Sequence, residues 1–519
     1  MALKKLLAGL FILLLSVVKA QNEFITIWNP ASTVIQPITV SAPYQANDQQ
    51  IWFPGIGENY DIYWEEVGFP QHNGSLTNVT STKQVFIDFG MSFGDKDAAK
   101  YRVKVSNGNG FFRQIKFGDV QEVQLPDQIF PIWQFNGSAD KILEIEQWGN
   151  IAWNSMNSAF SHCKLIQIKA ADSPNLNTTE DASYMFYGIK SFTGNSSMQN
   201  WDTSKIKNFR CMFAVIYDNI NTSLPDLFDS PYLNSWNMSS ATDLSFMFAG
   251  RGIFNQTLNS WNVSHVTDMK WMFALCPKYN QPMDNWDTSS LEDIRYMFHF
   301  DSSFNQSLNN WNTSKITNMA HAIHGCTAFS HSLANWDMTK VTRIDQILKE
   351  TPNFNHSLAS WNLASLTIGA QALMETGMDC ENFSNTLAGW ADNPNTANNI
   401  DLDIIAPLKY ASNATDKRNT LINKGWIMSG DTVGNCLLSS SDVKLRKKPL
   451  LYPNPAVDDI HIEGLDDLKG YKIYDAGGRL VLEGNPNKDM INVSSLPKGN
   501  YILQLILKDS AFSTKFIKK

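Results

Sequence analysis

Along the middle of the chain, apolar positions return on a fixed beat. In "FNQTLNSWNVSHVTDM", residues 254–269, and again in "YNQPMDNWDTSSLEDI" and "FNQSLNNWNTSKITNM", an aromatic residue, a Leu or Met and a Trp hold the same places 25 residues apart. Trp236, Trp261, Trp286, Trp311, Trp336 and Trp361 follow this period of 25. Trp201 lies 35 before Trp236, a gap that a ten-residue insertion around "YDNINTSLPD" explains, and Trp390 closes the series 29 after Trp361. Twelve residues after most of these tryptophans come Phe213, Phe248, Phe273 and Phe298, then Ile323, Leu348 and Leu373. Trp148 and Phe160 obey the same offset, so the array starts near residue 140 and holds about nine units. A period of 20 to 50 residues predicts a solenoid or a propeller.

Within a unit, Met269, Met272 and Phe273 have the i, i+3, i+4 spacing of one helical face. Thr267-Asp268 and Thr317-Asn318 stand before such segments as candidate caps. Trp261 and Val263 are two apart, as on one face of a strand. One short strand and one helical turn per 25 residues predict an α/β solenoid of leucine-rich-repeat type, since a propeller blade needs about 40 residues or more. A coil this small cannot bury its own apolar side chains, whereas stacked coils share a continuous core. Trp201, Trp236, Trp261, Trp286, Trp311, Trp336 and Trp361, with Phe213, Phe248, Phe273 and Phe298, are therefore the expected structural core.

The flanks lose the period. Residues 21–125 alternate apolar and polar positions in "YDIYWEEV", "QVFIDFG" and "YRVKVSNGNGFFRQIKF", which predicts an antiparallel β-sandwich. Residues 126–432 hold the repeats with their caps, 433–448 a polar linker, and 449–519 a small β-sandwich built on "LLYPNPAVDDIHI", "YKIYDAGGRLV" and "LPKGNYILQL". Residues 1–20 carry "MALKK", then "LLAGLFILLLSVV", then Val18-Lys19-Ala20, the layout of a cleaved signal peptide.

The motif "FNQxLxxWNxSxVTDMxxMF" resembles the repeat of BspA-type leucine-rich-repeat surface proteins. "ILEIEQWGNIAW" at 142–153 is similar to that family's lead-in and "NNIDLDI…LINKGWIMSGD" to its closing segment. The ordered set of segments in 449–519 resembles the C-terminal sorting domain of the type IX secretion system. These resemblances imply export across the outer membrane by type IX machinery, release or surface attachment, and adhesion to an extracellular protein or polysaccharide.

Composition narrows the remainder. A hydrophobic share of 43% and a charged share of 18% suit folded protein, and a net charge of −8 without long Lys/Arg runs argues against nucleic acid. No other stretch is long and apolar enough to cross a membrane, so none is expected in the mature chain. The six cysteines stand singly, without the pairing of a zinc site; Cys163, Cys276 and Cys326 share a repeat column and read as small buried residues. "HAIH", with His321 and His324, lacks the i, i+4 spacing of a zinc-peptidase helix, and the acidic pairs Glu65/Glu66 and Asp458/Asp459 have no evident partner. No catalytic residue, metal ligand or cofactor is expected. Gln256, Gln281, Gln306, His331 and His356 share one column and are the candidate ligand-facing residues. The Asn residues after the aromatic and the Asn/Asp after the Trp read as hydrogen-bonded bends, with a comb of ligand contacts as the alternative. The expected function is non-enzymatic binding; a secreted hydrolase whose repeats present substrate, or a structural coat component, are the alternatives.

Overall fold

A computed structural model describes residues 22–32, 47–124, 129–216, 224–434, 436, 450–463, 468–475, 479–485, 490–507 and 511–519. The expected signal peptide, most of the insertion near 220 and nearly all of the linker lie outside the described residues. The chain divides into two compact units, 1–436 and 437–519. Described residues are mostly strand, bridge and turn, with few helices and several sheets, none closed into a barrel.

Alternation builds the N-terminal sheet. Strand β1 is Phe24–Trp28, β2 Gln50–Phe53, β3 Gly55–Glu66, β4 Phe69–Ser81, β5 Val85–Asp88, β6 Tyr101–Ser106, β7 Phe111–Ile115, β8 Gly118–Gln124, β9 Ile129–Phe135, β10 Ile142–Gln147 and β11 Gln167–Ile168. In β6, Tyr101, Val103 and Val105 are buried while Arg102, Lys104 and Ser106 are only half-buried. The seven-stranded sheet runs β11-β10-β1-β6-β3-β4, with β7 also on β3; β2–β5 and β8–β9 form separate two-stranded pairs. Strand β1 lies between β6 and β10 and is buried at all five positions. Strand β10 lies inside the lead-in to the repeats, so the sheet passes the boundary expected at 125 without a break. One core accordingly runs from Phe24 to Met428.

The repeats depart from the expected strand plus helical turn. Their Met-x-x-Met-Phe segments are successive turns and isolated parallel bridges, Asp243 to Asp268, Asp268 to Asp293, Asp293 to Asn318 and onward. The cause is a left-handed residue inside each segment: Phe246, Trp271, Tyr296, His321, Gln346 and Gln371 all have φ between 53° and 59°. A right-handed helix cannot pass through such a residue. Amides instead alternate between two uses. Those of Met269, Trp271, Phe273 and Leu275 donate to Asp293, Arg295, Met297 and His299 of the next unit, whereas those of Met272, Ala274 and Cys276 close turns onto Met269, Trp271 and Phe273. Asp268 and Asn318 do accept an amide two residues on, from Lys270 and Ala320, but they cap turns rather than helices.

Inside, the period becomes stacking. Phe186, Phe213, Phe248, Phe273 and Phe298 follow one another with ring centroids 5.7–5.8 Å apart and planes within 9°. All seven repeat tryptophans are buried. Trp261, Trp286, Trp336 and Trp361 each donate the indole N–H to a Leu carbonyl of the preceding unit at 2.8–3.1 Å. The array ends on helix α1, Cys380–Asp392, whose Asp379 cap accepts the Asn382 amide and whose Trp390 continues the indole bonds to Leu358. Helix α2 is Thr415–Asn423, and a Cys380–Cys436 disulfide secures the last segment.

The second unit has its own core around Ile460, Ile473, Leu503, Leu505 and Phe516. Its strands form a three-stranded sheet, Leu450–Tyr452, Asp459–Glu463 and Met490–Asn492, and a four-stranded one, Leu468–Asp475, Leu480–Gly484, Gly499–Leu507 and Ala511–Lys518.

Candidate functional site

The polar column named from the sequence is engaged between units. Gln256 Nε2 donates to Asp229 Oδ2 at 2.8 Å, Gln281 to Asn255 Oδ1 at 3.1 Å and Gln306 to Asn280 Oδ1 at 2.8 Å. His331 and His356 place Nε2 3.1 and 2.8 Å from the carbonyls of Asn305 and Ser330. All five side chains are half-buried. The neighbouring Asn column works with them: Asn255, Asn280 and Asn305 accept the amides of Asn280, Asn305 and Ser330 at 2.9–3.0 Å. After the tryptophans, Asn262, Asp287, Asn312 and Asp337 each accept an amide two residues on. Both columns therefore hold the backbone at bends.

A different face carries apolar groups outward. The left-handed side chains leave the main core, and over the first units the β8–β9 hairpin packs on them, with Trp133 against Tyr184 and Tyr187 and Val120 beside the same cluster. Arg210 pairs there with Glu122 at 2.6 Å. Further along, Phe246, Trp271, Tyr296 and His321 stack face to face, at 5.5, 4.3 and 4.2 Å. Beside them Leu275 and Phe300 are each 42% exposed, and Ile253 is 43% exposed.

On this face three histidines converge. One nitrogen from each of His299, His321 and His324 lies within 4.8 Å of the other two. His321 Nδ1 is 3.2 Å from His324 Nδ1. On the far side of these rings, His321 Nε2 is 3.7 Å from Asp345 Oδ2 and His324 Nε2 is 3.5 Å from Glu350 Oε1. Burial, with the nearby His324, His321 and Lys349, pushes His299 down to about 3. Burial also lowers His324, against the pull of Glu350. Both imidazoles are thus neutral at pH 7, the form that coordinates metal. The reading of "HAIH" missed His299, although His299 and His324 stand one period apart in a single column. Gly325, with φ +74°, leaves room for the ring of Phe300, which a Cβ would meet at 2.3 Å.

The other chemical candidates are absorbed by structure. Burial would raise the carboxyl of Glu65, yet Lys104 and Arg102, each 3.1 Å away, hold it below its usual range. Glu66 is held low in the same way against its burial, by His72 at 2.5 Å and by the amides of Phe93 and Gly94. Asp459 accepts the side-chain amide of Asn492 at 2.8 Å. Cys163, Cys211, Cys276 and Cys326 are buried thiols. Burial pushes all four up, which removes them as nucleophiles.

The second unit is two small sheets that continue the segments singled out in 449–519. Residues 450–519 match the family model of a secretion system C-terminal sorting domain. The chain carries a type IX sorting tail. That tail indicates a secreted or outer-surface protein that engages type IX machinery, and among the described residues no helix is long and apolar enough to cross a membrane. The repeats match, over 154–281, 218–331 and 277–390, the model described as "Mycoplasma protein of unknown function, DUF285". A search of curated proteins returned no match.

Proposed function

We propose that this exported protein is a binding protein, not an enzyme. In this reading its repeats form a BspA-type, leucine-rich-repeat-like solenoid that holds an extracellular protein or polysaccharide. The supporting observation is the aromatic face. Beyond the β8–β9 hairpin, Ile253, Leu275 and Phe300 are exposed on successive units beside the half-buried ring of Trp271, and together they offer apolar surface to a ligand. Aromatic faces of this kind take sugar rings or apolar side chains. The Gln/His column, already committed between units, contributes hydrogen-bonding rims rather than the grip.

The test is a screen of the mature chain against glycan and extracellular-protein panels, with products assayed in the same wells. The reading expects a ligand bound without turnover and weakened at least tenfold by Leu275→Asn with Phe300→Asn, Asn being tolerant of the left-handed backbone. Product formation, or binding untouched by the pair, would overturn it.

A further inference from the structure

Aromatic stacking accounts for His321, which lies on Tyr296, but not for the other nitrogens of the histidine cluster. His299 Nδ1 is buried and has no hydrogen-bond partner, while His324 Nε2 has Glu350 Oε1 3.5 Å away and leaves its Nδ1 turned to His321. Leaving a buried nitrogen such as His299 Nδ1 unpaired is costly, and a fold keeps one where something else satisfies it.

We propose that His299, His321 and His324 form a site for a divalent transition metal of the zinc class, with a fourth position open to water or to a ligand's carboxylate or imidazole. Three imidazoles are a donor set suited to zinc, copper, nickel or cobalt and unsuited to calcium or magnesium. With metal–nitrogen bonds of about 2.0–2.1 Å, ligand nitrogens of a tetrahedral ion lie about 3.4 Å apart. The two Nδ1 atoms of His321 and His324 already stand at 3.2 Å. One nitrogen of His299 lies within 4.8 Å of the ligand atoms of the other two, so its ring must close on them when the ion binds. The opposite nitrogens of His321 and His324 face Asp345 and Glu350, the placement by which carboxylates orient metal-bound imidazoles. Lys349 and Arg343 lie against these carboxylates as well, at 3.8 and 3.0 Å, so the pair does not add two full negative charges to the site.

The site is also what the repeat makes easy. His299 and His324 occupy one column on adjacent units, and His321 comes from the stacked column beside it. Two coils in register bring the three rings together without any dedicated loop.

The experiment uses the untagged mature chain, stripped with EDTA, then titrated with Zn²⁺ in a calorimeter and with Co²⁺ by visible absorption. The expected result is one ion per chain and an intense cobalt band of low coordination number. His299→Ala and His321→Ala, checked for native circular dichroism, are expected to weaken binding more than about 100-fold, and Glu350→Gln about 10–100-fold. The last variant alters a partly exposed side chain and keeps the test alive if a histidine variant misfolds. No stoichiometric binding by the parent chain, or affinity unchanged in His299→Ala, His321→Ala and Glu350→Gln, would overturn the proposal. The readout is the metal itself, so it stands or falls separately from ligand binding.

Discussion

Replacing Asn280 by Ala removes one oxygen that serves two donors of the next unit. Asn280 Oδ1 accepts the amide of Asn305 at 2.9 Å and Nε2 of Gln306 at 2.8 Å. The side chain of Gln306 can turn to water, but the backbone amide of Asn305 is fixed at a half-buried bend. An orphaned amide in such a place costs about 1–3 kcal/mol, so the expected loss is about 2 kcal/mol. With an unfolding entropy of about 2.1 cal/mol/K per residue over roughly 400 residues, that lowers Tm by about 2–3 °C. The structure also supplies the rescue. Asp229 occupies the equivalent place two units before Asn280, accepting the amide of Asn255 and Nε2 of Gln256 at 2.9 and 2.8 Å. Asn280→Asp keeps both acceptors and is expected within about 0.5 kcal/mol of the parent. Thermal unfolding of the three chains, followed by tryptophan fluorescence, decides the matter. If Asn280→Ala melts with the parent, or Asn280→Asp falls as far as Ala, the column does not hold the units as argued.

Two further predictions probe the interior. Asp301 is fully buried in a column otherwise filled by Arg251, Cys276, Cys326 and Thr351, and burial pushes its carboxyl well above the usual carboxylate range. A raised folded pKa favours the protonated chain, so stability is lost as pH rises above about 3.8 and the unfolded carboxyl ionises; Asp301→Asn is expected to gain on the parent between pH 4 and 7, and urea midpoints separated by a constant amount would refute this. Trp286 donates its indole N–H to Leu258, whereas that of Trp311 is buried without a partner. Trp286→Phe is therefore expected to cost about 1 kcal/mol more than Trp311→Phe, measured by urea denaturation, and equal losses would contradict the bonding scheme.

The columns were legible because burial repeats with the chain: Trp261 and Phe273 mark the same interior places in every unit. The local backbone was not. The spacing of Met269, Met272 and Phe273 suits a helix, but it suits turns alternating with bonds to the next unit equally well. The residue that breaks the helix is Phe246, Trp271 or Tyr296, bulky types that carry no left-handed signal as glycine would. The division at 125 concealed a strand, Ile142–Gln147, that pairs with Phe24–Trp28 far back in the chain, a contact no local pattern announces. The histidine cluster was half legible. "HAIH" drew notice as a motif on one unit, while its third member had to be sought one period back, at His299. The Cys380–Cys436 pairing depended on how the closing segment returns to α1, which spacing alone does not state.

The claim beneath all of this is that the units are interchangeable neighbours, joined by bonds and stacked rings that any two successive units can make. Excision of residues 257–281, one whole period from the place after Gln256 to the same place after Gln281, tests it most directly, beside a control lacking only 257–269. The account predicts that the 25-residue deletion still unfolds in a sharp transition with native-like circular dichroism, and that the shorter deletion does not fold. Equal damage from both, or survival of the shorter one, would contradict it.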